Sequence, residues 1–227
     1  MWLSNSSVGR KVVMSLSGLF LILFLTFHMA MNLVAVFSED AYNMVCKFLG
    51  ANWYALAGTL VLAAGFAVHI IYAFILTLQN RKARGHERYA VNEKPKSVEW
   101  ASQNMFVLGL IVVLFFVLHL AQFWFKMQFA EISGIDMGVD PHDGAALIKS
   151  IFGNPIFAIL YLVWFVAIWF HLTHGFWSAI QTIGWNNHVW LERWKCISNI
   201  FATVIFAGFA IVVIFFYVKY GLCGGAC

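Results

Sequence analysis

Five long apolar runs constrain this chain more than any other feature. Residues 12–37, 53–79, 101–125, 155–183 and 197–218 form runs of 22 to 29 residues. At about 1.5 Å of rise per residue, each is long enough as a helix to cross a hydrocarbon core about 30 Å thick. A membrane β-barrel would show segments of about 10 residues with alternating polarity instead. Composition agrees: 62% of residues are hydrophobic and 11% charged, where soluble domains run nearer half and a quarter. The 18% aromatic content and only 3 prolines exclude disordered and collagen-like classes. The expected fold is an all-α membrane protein, a five-helix transmembrane bundle forming a single domain over 1–227. Only the 126–154 connection is long, and no repeat or linker interrupts the pattern. Arg10-Lys11 before the first run resembles the basic start of a signal peptide, but the run is too long for an h-region and lacks a cleavage signature, so it is expected to stay.

Orientation follows from the positive charges, which accumulate on the cytoplasmic side. Arg10, Lys11, Arg81, Lys82, Arg84, Arg88, Lys94, Lys96, Arg193 and Lys195 fall on one side, against Lys47, Lys126, Lys149 and Lys219 on the other. This predicts a cytoplasmic N-terminus and an external C-terminus. The basic 81–96 loop carries the topology and is also a candidate docking surface for a cytoplasmic partner. A short surface helix is expected at 144–152. Cys46, Cys196, Cys223 and Cys227 lack zinc-site spacing; Cys223 and Cys227 lie on the oxidising side, where pairing is open to them, although a free tail is the simpler expectation.

Within those boundaries no span contains any of the 14 basic or 10 acidic residues, yet five of the eight histidines lie inside: His28, His69, His119, His171 and His174. Ionisable groups in a membrane interior are expensive and persist where they work, and histidine is the one that ligates metals as a neutral side chain. One such histidine alone could simply hydrogen-bond two helices. Four spans that each carry a histidine, with no other ionisable type, favour ligation.

Depth divides these histidines into two levels. His28 lies 17 residues after Lys11, and His119 lies 20 after Glu99, toward the outer half. His69 lies 12 residues before Arg81, about 18 Å from the inner end, while His171 and His174 precede Gly184 by 13 and 10. Two levels, each with one histidine from each of two helices, suit a pair of bis-histidine haems. Zinc would ask for three or four ligands at one level. Gly65 and Gly175 lie four residues from His69 and His171 on the same helix face, where a missing side chain would admit a flat ring. That favours His171 over His174, which becomes either a hydrogen-bond partner for a haem propionate or a structural histidine. Around the outer pair the equivalent neighbours are Phe24, Asn32, Phe115 and Phe123.

The run Ser7-Val8-Gly9-Arg10-Lys11 leads to Gly18-Leu19-Phe20 and His28-Met29. After His69 and His119 comes His171-Leu172-Thr173-His174-Gly175-Phe176-Trp177, ending in Gly184-Trp185. Over essentially its whole length this resembles the five-helix, di-haem cytochrome b membrane anchor of succinate dehydrogenases and fumarate reductases. The resemblance implies two b haems, held by His28 with His119 and by His69 with His171. It also implies a membrane quinone, menaquinone in preference to ubiquinone, and an iron–sulfur subunit with an FAD-containing flavoprotein subunit on the cytoplasmic face of the inner membrane. Dicarboxylate chemistry would belong to another subunit, and the same anchor serves succinate oxidation and fumarate reduction. One departure matters: where a branch of the family has an acidic residue two positions before the helix-4 ligand, this chain has Trp169, which leaves a proton path of that kind without support. Quinone protonation would then turn to the outer rim, at Glu39, Asp40 and Tyr42, which are otherwise expected to be solvated loop residues. The alternatives are a di-haem subunit of a hydrogenase or formate dehydrogenase, a haem-free scaffold, and a transporter. A transporter should carry a carboxylate within a span and broken helices.

Overall fold

The computed structural model describes residues 6–84 and 99–225. Arg88, Lys94 and Lys96 of the candidate docking loop, and Cys227, lie outside the described residues. The elements are α1 (Ser7–Phe37), α2 (Glu39–Phe48), α3 (Trp53–Arg84), α4 (Trp100–Gln103) and α5 (Met105–His119). A π-helix, Leu120–Phe129, carries α5 on into α6 (Ala130–Ser133), and α7 (Gly144–Phe152), α8 (Pro155–Thr182) and α9 (His188–Phe216) follow, with a second π-helix at Tyr217–Leu222. Among the described residues there are no strands. Five helices are long and apolar enough to cross a membrane: α1, α3, α5 with its continuation, α8 and α9.

Capping chemistry sets the helix starts. Ser6 accepts from the Gly9 amide at 2.9 Å, Asn154 from Ile156 at 2.9 Å with Pro155 in the first turn, and Asn187 from Val189 and Trp190. Each oxygen satisfies amides that have no partner within the helix. The fifth helix therefore begins at His188, nine residues before the expected 197, and the third helix runs to Ser133 rather than 125. Hydropathy marks the apolar middle of a helix, whereas these ends are polar or amphipathic and still helical.

Two short helices close one end of the bundle. The sequence left 38–52 as a connection, yet Ser38 caps α2 by accepting from Ala41, and Glu39 and Asp40 sit in its first turn, where the helix dipole favours anions. The helix expected at 144–152 forms with those bounds but is not a surface element: Leu147, Ile148, Ile151 and Phe152 are buried. Asn43 pins α2 to α7, donating to Asp143 at 2.8 Å and accepting from the Ala145 amide at 2.9 Å. Glu39 is likewise not a solvated loop residue. It is paired with Lys149 and accepts from the Tyr220 hydroxyl at 2.5 Å, and Lys219 lies 3.7 Å away.

Helix α9 packs along α8 and α1, α8 also meets α5 and α1, and α3 packs mainly against α1. Small residues permit the approach: Ala202 and Ala35 are fully buried, and Gly208 lies against Met29. The Ser198 hydroxyl, also fully buried, lies 3.0 and 2.9 Å from the Leu172 and Thr173 carbonyls, tying α9 to the histidine-bearing stretch of α8. Trp169 donates to Thr203 at 3.0 Å, so this position too serves as an interhelical tie. Cys46 and Cys196 are free, and burial pushes the Cys46 thiol up to about 11, leaving it un-ionised at neutral pH. Cys223 is disulfide-bonded, which replaces the free tail expected from the sequence.

Ile148 is completely buried while Ile132 is 52% exposed. Ile148→Ala is expected to destabilise the protein by about 2–5 kcal/mol and Ile132→Ala by less than about 0.5 kcal/mol, measured by thermal unfolding in detergent. Burial alone would raise the Glu39 carboxyl, but hydrogen bonds from Lys149 and Tyr220 and the charges of Lys149 and Lys219 outweigh it and hold it below its ordinary value. A depressed carboxyl contributes stability above its unfolded value, near 4.5, that is lost as pH falls through the lower folded value. The melting-temperature gap between wild type and Glu39→Gln should therefore narrow below about pH 4.5.

Candidate functional site

Contacts between the helix ends fix how the bundle is threaded. Glu99, just before α4, lies 3.6 Å from His174 near the end of α8, while Glu39, at the start of α2, meets Tyr220 after α9. The start of α1, α4 and the turn between α8 and α9 thus share one end, here the amino end. The far end holds α2, α6 and α7.

The structure brings four intramembrane histidines together two by two. On the far side of the bundle, His28 of α1 faces His119 of α5, with ring centroids 5.8 Å apart and planes at 85°. Toward the amino end, His69 of α3 faces His171 of α8 at 6.3 Å and 69°. Each pair joins two helices that are not neighbours in sequence. His174 stands apart, its ring 4.8 Å from Trp177 and its Nδ1 3.6 Å from Glu99.

The far pair is walled by aromatic rings. Phe24 stacks on His28 at 5.4 Å, and Phe209 lies at 5.9 Å. Around His119 stand Phe123 at 5.1 Å, Trp164 at 5.6 Å and Tyr161 at 6.2 Å. Phe115 stacks on Trp164. Asn32 approaches His28 Nε2 at 3.4 Å through its amide nitrogen, which also donates to the His28 carbonyl, while its oxygen accepts from Tyr42 at 3.2 Å. Tyr42 is consequently buried rather than solvated.

Besides Gly65 and Gly175, two glycines on neighbouring helices lie beside the second pair. A Cβ on Gly65 would meet the Phe20 ring at 2.5 Å, so its open face is occupied by α1, and Gly175 has only Met105 nearby at 3.8 Å. Gly18 of α1 lies against His69, with its Cβ position 3.3 Å from Cε1, and Gly109 of α5 lies against His171 at 3.6 Å. Each glycine gives room to an imidazole reaching over from a neighbouring helix. Counting four residues along one helix could not find them, because the contact is between helices.

Sequence reasoning also passed over Ser17, whose hydroxyl lies 3.2 Å from His69 Nδ1, and Tyr161, 3.5 Å from His119 Nδ1. Ser17 was within reach: it precedes His28 by 11 residues, close to three helical turns, and so shares its face. Tyr161 is one polar tip in an apolar run, and no spacing marks it. Several buried nitrogens near the amino end have no hydrogen-bond partner among the described residues: Arg10 Nε, His171 Nδ1 and Trp177 Nε1. At the far rim Glu39 and Asp40 border a cavity of about 530 Å³ that also touches Lys219 and Tyr220.

Comparisons with protein-family models, curated proteins and solved structures return no match to this chain. What the site does is therefore read from its own chemistry.

Proposed function

We propose that this chain is the di-haem cytochrome b anchor of a succinate dehydrogenase or fumarate reductase. In that role it relays electrons between a membrane quinone, menaquinone by family association, and iron–sulfur and flavoprotein subunits on the cytoplasmic side of the inner membrane. The observation that carries the reading is the opposition of four imidazoles in two pairs at different depths. A metal ion stands about 2 Å from each imidazole nitrogen it binds, so two imidazoles sharing one ion have ring centres about 6 Å apart. Separations of 5.8 and 6.3 Å fit that requirement.

In this reading His28 with His119 and His69 with His171 would hold the two haems. Haem iron between two imidazoles supplies one-electron transfer between its ferric and ferrous states. The protein's part is to hold, shape and shield. Phe24, Trp164 and Phe209 keep water from the far pair, while Gly18 and Gly109 leave space beside the other. His174 keeps the role of a polar neighbour rather than a ligand. The unpartnered donors of Arg10 and Trp177 suit an anionic group such as a haem carboxylate near the amino end. The excess of Lys and Arg predicted for that end would both set the topology and meet the cytoplasmic subunits.

The reading is tested by a dithionite-reduced minus oxidised spectrum and a pyridine haemochrome count on wild type, His171→Ala and His174→Ala. Two b haems in wild type, with one lost in His171→Ala and both kept in His174→Ala, is the expected result. Absence of haem from an intact, assembled wild type would overturn it. Succinate-oxidising or fumarate-reducing subunits should copurify; hydrogenase or formate dehydrogenase subunits would reassign the complex while keeping the relay. A companion measurement uses space: Gly18→Val should cost the haem on His69 and His171, whereas Gly58→Val, with nothing within 4 Å of its Cβ position, should leave both.

A further inference from the structure

Two hydroxyl groups beside the histidine pairs each have a single proton, and in both cases another acceptor takes it. The Ser17 oxygen lies 3.0 Å from the Met14 carbonyl and 3.2 Å from His69 Nδ1. A carbonyl can only accept, so the hydroxyl donates to Met14 and turns its lone pairs to the imidazole. Both contacts are hydrogen bonds at once only if His69 carries its proton on Nδ1. Tyr161 repeats the arrangement at the other level: its hydroxyl donates to the Gln122 side-chain oxygen at 2.9 Å and faces His119 Nδ1 at 3.5 Å.

We infer that Ser17 and Tyr161 are positioning residues that fix His69 and His119 as Nδ1–H tautomers, leaving Nε2 as the nitrogen that binds metal. The inference rests on the haem reading for its purpose but not for its geometry. A metal-bound histidine ordinarily donates its other N–H to an acceptor, which sets ring orientation and makes the ligand more basic. Here each pair has one member so held. The opposite members differ: His171 Nδ1 has no partner among the described residues, and His28 meets Asn32 through Nε2. Each level therefore combines one imidazole locked by a hydroxyl with one whose tautomer the protein does not lock in this way. The competing account is that Ser17 merely bonds back to its own helix, a common habit of serine in apolar helices. It would leave the His69 tautomer unaffected by the hydroxyl.

The test uses the full chain in lipid bilayers with ¹⁵N-labelled histidine. In the haem-free protein, solid-state NMR should show His69 and His119 protonated at Nδ1. Ser17→Ala should release His69 alone into a tautomer mixture, and Ser17→Thr should restore it. In the haem-loaded protein, Ser17→Ala should raise the midpoint potential of one haem only, because a less basic ligand stabilises ferric iron less, and should weaken its retention about ten- to a hundredfold. Tyr161→Phe should act on the other haem with a smaller effect, given its longer contact. Wild-type His69 protonated at Nε2, or a tautomer unchanged in Ser17→Ala, would overturn the inference; the wild-type spectrum decides even if a variant fails to fold. Correct tautomers in a wild type that never takes up haem would support the hydroxyl assignment and overturn the electron-transfer reading instead.

Discussion

A polar group inside an apolar bundle has no water to fall back on, and this requirement organises the molecule. The helices satisfy their own amides and carbonyls, so the remaining side-chain donors and acceptors must meet one another across helix interfaces. Ser198 reaches two carbonyls of α8, Trp169 finds Thr203, and Tyr161 joins α8 to Gln122. Gln128 accepts from Thr59 and Trp124 and donates to the Gly50 carbonyl. The histidine pairs are the most demanding members of the same set, because an imidazole brings two nitrogens of different character.

The two ends of the bundle meet this requirement differently. At the far end α2 and α7 fold back over the helix termini, and the polar groups there are largely paired: Glu39 with Lys149 and Tyr220, Asn43 with Asp143, Glu131 with the Ala51 amide at 2.8 Å. At the amino end His174 Nδ1 lies 3.6 Å from Glu99, while the buried Arg10 Nε and Trp177 Nε1 have no hydrogen-bond partner among the described residues.

Much of this was legible in the sequence where one physical variable dominates. Apolar length located all five long helices, and counting residues from the charged ends put His28 on one level with His119 and His69 on another with His171 and His174; of these, His28 faces His119 and His69 faces His171. Helix ends were harder, because capping by Ser6 and Asn187 extends them into polar sequence that hydropathy does not register. The α2 helix was overlooked for the same reason, although Ser38-Glu39-Asp40 is a recognisable start. The neighbours of the histidines were least legible. Gly18, Gly109, Ser17 and Tyr161 act across helices, and no periodicity within one helix reports which residues its partner presents.

The ten-residue π-helix that begins directly after His119 places a limit on how this chain can vary in length. In an α-helix each residue turns the chain by about 100°, so adding or removing one residue rotates everything beyond it. Leu120–Phe129 runs from one anchored feature, the imidazole of His119, into another, the clamp in which Gln128 and Glu131 grip Gly50 and Ala51. Its π-helical turns set the angle between the two. An insertion or deletion here would therefore swing one anchor off its target, whereas the exposed turns at Gly134 and Gly138, with positive φ, can change length without consequence for either. Lineages of this protein should accordingly vary in length in 134–139 and keep 120–129 constant.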